Sequence, residues 1–164
     1  MIAKTQKYQS AILLLLKELG GSVRGKKKLA KLLYFIDFDF YEIHEKSITG
    51  DRYYARDMGP LGAKLQEELQ TMAAKKLIRM REEKTSDRAE LEPTIVYEAT
   101  VKPDNSVLSE EEIKMIQRVA KKYGRLTGKQ LQDISHNEAP YIGTQPHHEI
   151  PYELSLYRGT EFAE

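Results

Sequence analysis

The sequence predicts an α+β fold, namely a mainly helical single domain over residues 1–164 with a small antiparallel β-sheet. Apolar residues recur at helical spacing in several segments, and two short segments rich in β-formers flank a polar stretch. The length of 164 residues suits one domain with its own core. The predicted order is helix–helix–strand–helix–strand–strand, followed by further helices. This order favours a winged-helix-like N-terminal part plus C-terminal helices.

The composition narrows the possible functions. Lys and Arg number 26 and Asp and Glu 25, giving a formal charge of +1, whereas a dedicated nucleic-acid binder is usually strongly basic. The chain has no Cys, which excludes disulfide scaffolds, thiol nucleophiles and Cys-based zinc sites. The early apolar run AILLLL is too short to span a bilayer, and no secretory signal surrounds it. We expect a cytoplasmic protein without membrane contact.

Two helices are predicted in the first 44 residues. Residues 7–19 carry apolar side chains at helical spacing, and Gly20 and Gly21 end that helix. The second helix, from Lys26 to about His44, is apolar on almost every side. A helix of that kind is expected to be buried at the centre of the core.

The start of the second helix is unusually basic. Cations at a helix start oppose the helix dipole, so a nearby anion would relieve them. Three anions would serve: a phosphate, an acidic patch on a partner, or Glu residues of the chain itself. The alternative is that these lysines are exposed to solvent and have no specific partner. The cluster comprises Arg24, Lys26, Lys27, Lys28 and Lys31.

Residues 47–61, SITGDRYYARDMGPL, combine turn residues with Tyr and Arg. Gly50 is expected at a positive φ, and Asp51 is expected to accept hydrogen bonds from neighbouring amides. A short strand is predicted from Asp51 to Arg56. Its alternation places one of Tyr53 and Tyr54 in the core and the other outside.

The remaining elements follow from local signals. Pro60 suits the first turn of a third helix over residues 61–74. The strings KKLIRMREE and PTIVYEATV predict two strands joined by the exposed loop KTSDRAELE. SEEE at residues 109–112 is a capping box for a helix that stops at Gly124, and Thr127 caps a further short helix.

Two long strings resemble the Panacea domain, also called the SocA-like antitoxin domain. Residues 28–69 are similar to its first half: KLAKLLYFIDFDFYEIHEKSITGDRYYARDMGPLGAKLQEEL. That half has a helix rich in Lys, Leu and Tyr, a Thr-Gly-Asp turn, an aromatic strand and a Gly-Pro helix start. Residues 108–141 resemble the C-terminal block: LSEEEIKMIQRVAKKYGRLTGKQLQDISHNEAPY. The block usually ends in Ser-His-x-Glu-x-Pro-Trp, and Tyr141 stands in the Trp position.

The resemblance implies a bacterial or phage antitoxin that binds and neutralises a cognate toxin protein. One member type is an adaptor that hands its toxin to a AAA+ protease, which is therefore a second implied partner. Many members carry an additional DNA-binding domain, which we do not expect within these 164 residues. The resemblance implies no enzymatic activity and no cofactor. The alternative function is a winged-helix-like nucleic-acid-binding regulator.

Seven residues are candidate partner contacts. Tyr and Arg dominate the binding energy of many interfaces, which favours the aromatic strand. A tight turn that merely holds two helices at a fixed angle is the alternative. The SHNEAPY segment contributes a titratable group that could also contact a partner. The candidates are Asp51, Tyr53, Tyr54, Arg56, His136, Glu138 and Tyr141.

Catalytic and metal sites are not predicted. Asp37 and Asp39 are two positions apart on a helix and point in different directions, so they do not converge as an acid–base pair. A hydrogen bond from Tyr34 or Tyr41 to Asp37 is expected instead. Adjacent histidines rarely converge on one zinc ion. The possible zinc ligands would be His136, Glu138, His147, His148 and Glu149.

Nucleic acid is not an expected partner. The third helix of a winged helix would enter the major groove, and here Glu67 and Glu68 are predicted on its outer side beside Lys64. Phosphates would repel these carboxylates. A weak basic patch beside the helix consists of Lys75, Lys76, Arg79 and Arg81.

Overall fold

The computed structural model describes residues 2–84 and 93–162, and it confirms the mainly helical α+β fold. The α-helices are α1 (Ile2–Glu18), α2 (Lys26–His44), α3 (Leu65–Ala74), α4 (Glu110–Tyr123), α5 (Gly128–His136) and α6 (Ala139–Ile142). The strands are β1 (Ser22–Arg24), β2 (Tyr53–Arg56), β3 (Gly59–Gly62), β4 (Ile78–Glu83) and β5 (Thr94–Ala99). Two 3₁₀ helices span Asn105–Val107 and Tyr152–Tyr157.

The strands form two separate antiparallel sheets. The larger has the order β1-β5-β4, and the smaller is the β2–β3 hairpin. Strand β1 was not predicted from the sequence, because three residues show too little alternation; its pairing with β5 defines it. With α1, α2 and α3 around it, the larger sheet agrees with a winged-helix-like N-terminal part, into which the hairpin is inserted between α2 and α3.

Helix α2 is the central element, as its composition predicts. Every residue from Leu29 to Phe40 is buried, and the helix packs against α4, α5 and β3. The rings of Phe35 and Tyr123 stack at a centroid distance of 4.2 Å, which joins α2 to α4. Both predicted N-caps are confirmed: Ser109 and Thr127 each close a capping box at the start of α4 and α5.

Three sequence expectations are corrected. Helix α1 begins at Ile2 rather than Lys7. Residues 59–62 form strand β3 rather than the first turn of a helix, because Gly59 adopts a φ of 108° and the segment pairs with β2. Helix α3 therefore begins at Leu65. Most of the predicted loop KTSDRAELE lies outside the described residues.

The outer face of α3 also differs from the expectation. Glu68 is buried and lies 3.5 Å from the Gln9 amide of α1, so it does not face outward beside Glu67. Glu68 lies three residues after Leu65 and four before Met72, so it shares the inward face of α3 with these buried residues. Among the described residues, none of the helices combines the length and hydrophobicity needed to cross a bilayer.

Candidate partner-binding surface

The root of the hairpin is fixed by the buried carboxylate of Asp37 on α2. The Tyr53 hydroxyl donates to its Oδ2 at 2.6 Å, and the Thr49 hydroxyl donates to the same atom. The backbone N–H groups of Ile48 and Thr49 donate to Oδ1 at 2.9 and 2.8 Å. Burial raises the pKa of Asp37 to about 6, although the bonds from Thr49 and Tyr53 oppose the shift. Tyr34 and Tyr41, which were expected to donate to Asp37, donate instead to Glu138 and Glu153. The tyrosine hydroxyl that Asp37 accepts from is that of Tyr53.

Asp51 joins the hairpin to α1 and α3. It is only 2% exposed, and its Oδ2 accepts a 2.6 Å hydrogen bond from the Tyr8 hydroxyl. Its Oδ1 accepts from the N–H groups of Arg52 and Lys64, which confirms the predicted bonding to nearby amides. A side chain at Gly62 would collide with this carboxylate. Asp51 therefore positions the hairpin from inside the protein.

The hairpin shows the predicted alternation. Tyr53 is buried at 1% exposure, whereas Tyr54 is half-buried and faces outward together with exposed Arg56. The Arg56 guanidinium lies 5.3 Å from the centre of the Tyr54 ring, a cation–π contact. Between the strands, the side chain of Met58 at the turn is 57% exposed. The outer side of the hairpin thus presents an aromatic ring, a cation and an apolar tip.

The end of α5 and helix α6 support that outer side. The Tyr141 hydroxyl donates to the Arg56 carbonyl at 2.7 Å, and the Tyr141 ring stacks on His136 at 4.3 Å with an interplanar angle of 11°. Burial and the charge of Lys31 lower the pKa of His136, so its ring is neutral at pH 7. The structure therefore brings Tyr54, Arg56, His136 and Tyr141 into one chain of contacts.

Glu138 belongs to a different, buried cluster. It accepts hydrogen bonds from the Tyr34 hydroxyl at 2.8 Å and from Arg158 at 3.0 Å. Arg158 also contacts Asp39 at 2.5 Å and Glu42 at 2.9 Å. Although burial opposes it, Asp39 and Glu138 raise the pKa of Arg158, so the guanidinium stays charged. This cluster holds the C-terminal tail onto α2.

A groove of about 420 Å³ lies between the first two turns of α2 and the outer side of the hairpin. We call it the hairpin groove. Buried Lys31 donates to the Pro60 carbonyl at 3.1 Å and lies directly against Gly59, which brings helix and hairpin together. Its lining residues are Lys26, Lys27, Ala30, Lys31, Arg56, Asp57, Met58, Gly59, Leu61 and His147.

Sequence reasoning found part of this surface. It singled out Arg56 and the lysines of α2 separately but did not place them on one groove. It did not identify Met58, and it considered His147 only as a possible zinc ligand; an apolar residue at the tip of a predicted turn was an available signal for Met58. Within residues 2–84 and 93–162, no three His, Asp or Glu side chains gather in a metal-binding arrangement.

Comparison with known proteins identifies a family. No curated protein and no solved structure matches the chain. A family model does match, over residues 29–141, and its description is antitoxin SocA-like, Panacea domain. The matched range contains α2 from Leu29 onward, the hairpin, strands β4 and β5, helices α3 to α5, and α6 up to Tyr141. It covers more than half of the 164 residues, and the chain therefore belongs to the antitoxin SocA-like, Panacea domain family.

Proposed function

We propose that this chain is an antitoxin that binds and neutralises a cognate toxin through the outer side of its hairpin. The family match supports the antitoxin role, which is regulatory rather than enzymatic. The observation that carries the choice of surface is the continuous set of contacts among Tyr54, Arg56, Tyr141 and His136, with exposed Met58 beside it.

The residue types suit a protein partner. Tyr, Arg and Met are enriched in interfaces, and anchors of this kind contribute most of the binding energy. Arg56 is exposed and Tyr54 half-buried, so both remain accessible to a second protein.

The surface is also rigid. Asp51 and Tyr53 hold the hairpin from below, and Glu138 fixes the segment that follows α5. A surface held in its binding geometry loses little conformational entropy on association, which increases affinity. In this proposal the four accessible candidates contact the toxin, and Asp51, Tyr53 and Glu138 position them.

Neutralisation takes one of two forms. The antitoxin covers the active surface of the toxin, or it presents the toxin to a AAA+ protease as an adaptor. The two differ in a simple measurement: a covering antitoxin inhibits purified toxin in the absence of any protease, whereas an adaptor shortens the lifetime of the toxin in cells. Both use the same contact between antitoxin and toxin.

A second candidate is a nucleic-acid-binding regulator. The inward position of Glu68 favours it, because only Glu67 of the pair remains to repel phosphates at the outer face of α3. In that case the affinity of the chain for a DNA duplex would fall steeply as the salt concentration rises. The slope of log affinity against log salt concentration is proportional to the number of phosphates contacted. A protein interface built on Tyr54 and Met58 predicts a much weaker dependence.

The experiment co-expresses this chain with the protein encoded beside it. If the neighbour arrests growth, the wild-type chain is expected to relieve the arrest. The double variant Tyr54→Ala/Arg56→Ala is expected to lose the relief and to raise the Kd at least about 30-fold. The matched control is Tyr157→Ala/Arg125→Ala, which removes an exposed Tyr and an exposed Arg elsewhere.

Two outcomes contradict the proposal. If the protein encoded beside this chain does not arrest growth, the proposed antitoxin function is contradicted. Full relief by folded Tyr54→Ala/Arg56→Ala, whatever the control shows, contradicts the assignment of the binding surface to the outer side of the hairpin. Circular dichroism of each variant establishes that the loss is not a loss of folding.

A further inference from the structure

We infer that the hairpin groove receives an acidic segment of the toxin, which inserts one apolar side chain between helix α2 and the hairpin and places carboxylates against Lys27 and Arg56. The inference rests on the proposed function and adds the chemistry of the segment that is recognised. Of the seven residues chosen from the sequence, only Arg56 lines this groove.

The floor of the groove is apolar. Its apolar lining comes from Ala30 of α2 and from Met58 and Leu61 of the hairpin. At about 420 Å³ the groove has room for a large aliphatic or aromatic side chain. Removing such a side chain from water contributes about 2 kcal/mol, so an apolar anchor is the group that gains most here.

The rim of the groove is cationic. Lys26, Lys27, Lys31 and Arg56 face one carboxylate, that of Asp57, which lies 3.6 Å from the His147 ring. Within the part of the chain that the structure describes, no carboxylate lies within 4.0 Å of these four cations. A partner that brings carboxylates supplies the opposite charges that these cations lack among residues 2–84 and 93–162.

Lys31 reinforces the preference for an anionic partner. Its ammonium group is buried, and the Pro60 carbonyl is its hydrogen-bond acceptor. Burial and the nearby charge of Lys27 lower the pKa of Lys31 to about 8. A carboxylate in the groove would offset the repulsion between the two ammonium groups. The start of α2 adds the positive end of the helix dipole at the same place.

The same features disfavour other occupants. A nucleic-acid backbone would pair its phosphates with the rim but would leave Met58 and Leu61 without an apolar partner. A second copy of this chain is the remaining occupant, and it would make the antitoxin a concentration-dependent dimer through this face. Each of these gives a separate result in the test below.

The test begins with the purified complex of this chain and the toxin identified by growth relief. A water-soluble carbodiimide joins Lys amines to carboxylates that are in contact, without a spacer. We expect mass spectrometry to find Lys26 or Lys27 joined to an Asp or Glu of the toxin. In parallel, Lys27→Glu/Arg56→Glu is expected to raise the Kd about 100-fold, because like charges then face each other.

Controls separate charge placement from total charge. Lys27→Arg/Arg56→Lys preserves the charges and is expected to stay within about threefold of the wild-type Kd. Lys102→Glu/Lys46→Glu reverses two exposed charges elsewhere and is expected to leave the Kd unchanged. Replacing the cross-linked toxin carboxylate by Lys is expected to restore binding to Lys27→Glu/Arg56→Glu.

The outcomes distinguish this inference from the proposed function. Growth relief by the wild-type chain with an unchanged Kd for Lys27→Glu/Arg56→Glu overturns the inference and the toxin contact of Arg56, and it leaves the antitoxin role intact. A 20-base-pair duplex that displaces the toxin from the wild type also overturns it, as does a dimer that Lys27→Glu/Arg56→Glu dissociates in analytical ultracentrifugation. No growth relief by the wild type removes the proposed function itself.

Discussion

The Tyr53 hydroxyl donates a 2.6 Å hydrogen bond to the Asp37 carboxylate and so ties the aromatic strand to the middle of helix α2. Within the described residues, Asp37 has no cationic partner within 4.0 Å; its charge is held by hydrogen bonds from Ile48, Thr49 and Tyr53. The position of the candidate surface therefore depends on a buried, uncompensated carboxylate.

The first prediction concerns pH. Burial raises the pKa of Asp37 to about 6 in the folded state from its ordinary value of 3.8, so its ionisation lowers the free energy of unfolding as pH rises from 4 to 6, by up to about 3 kcal/mol. Asp37→Asn does not titrate. Urea unfolding at several pH values measures the free energy of unfolding of the wild type and of Asp37→Asn. We expect the wild-type value minus the variant value to fall between pH 4 and pH 6 and to stay constant above pH 7. A difference that is constant with pH contradicts it.

Removal of the Tyr53 hydroxyl is expected to affect stability but not recognition. Tyr53→Phe loses the hydrogen bond to Asp37 and lowers the free energy of unfolding by about 1–3 kcal/mol. Its ring stays buried, so the Kd for the toxin, measured well below the melting temperature, stays within about twofold of the wild type. Tyr54→Phe is the matched control for stability. A large rise in Kd for folded Tyr53→Phe would place its hydroxyl in the interface.

Arg158 is expected to be the most sensitive cation of the chain. Arg158→Met leaves Asp39, Glu42 and Glu138 without the guanidinium between them, and removing one side of such a buried cluster costs about 3–5 kcal/mol. Thermal unfolding of Arg158→Met and of Arg125→Met, an exposed arginine, measures the contrast. Equal melting temperatures would show that the Arg158 cluster contributes no net stability.

Gly59 is expected to resist substitution for two reasons. Its φ of 108° disfavours any side chain, and an added Cβ would lie 2.5 Å from Cε of Lys31. Gly20 has a similar φ of 96° but open space around it, so Gly20→Ala isolates the backbone cost of about 1–2 kcal/mol. Gly59→Ala should cost more and should also weaken toxin binding, since Lys31 must move into the groove. If Gly59→Ala and Gly20→Ala lower the free energy of unfolding equally, the Lys31 side chain moves aside without a measurable cost.

Local signals were sufficient for much of the fold. The bounds of α2 follow from a long apolar periodicity, and the capping boxes at Ser109 and Thr127 are encoded within four residues. The opposite directions of Tyr53 and Tyr54 follow from strand alternation. Each of these features is decided by neighbouring residues, which a sequence shows directly.

Features set by distant partners could not be predicted. Strand β1 exists because it pairs with β5, and β3 because it pairs with β2, which outweighs the helix signal of Gly-Pro. Arg158 meets Asp39 across 119 positions of the sequence. The burial of Lys31 depends on the approach of the hairpin to α2. Tertiary packing decides each of these, so the hairpin groove emerged only from the fold.

The hairpin shares no hydrogen-bond ladder with the three-stranded sheet. Changes to its exposed positions therefore leave the register of that sheet untouched, as long as the anchors Asp37, Asp51 and Tyr53 are kept. A chimera that carries another family member's residues at the exposed positions 56–58 on this scaffold should fold like the parent. Such a replaceable loop is a ready means of retargeting the molecule without rebuilding its interior.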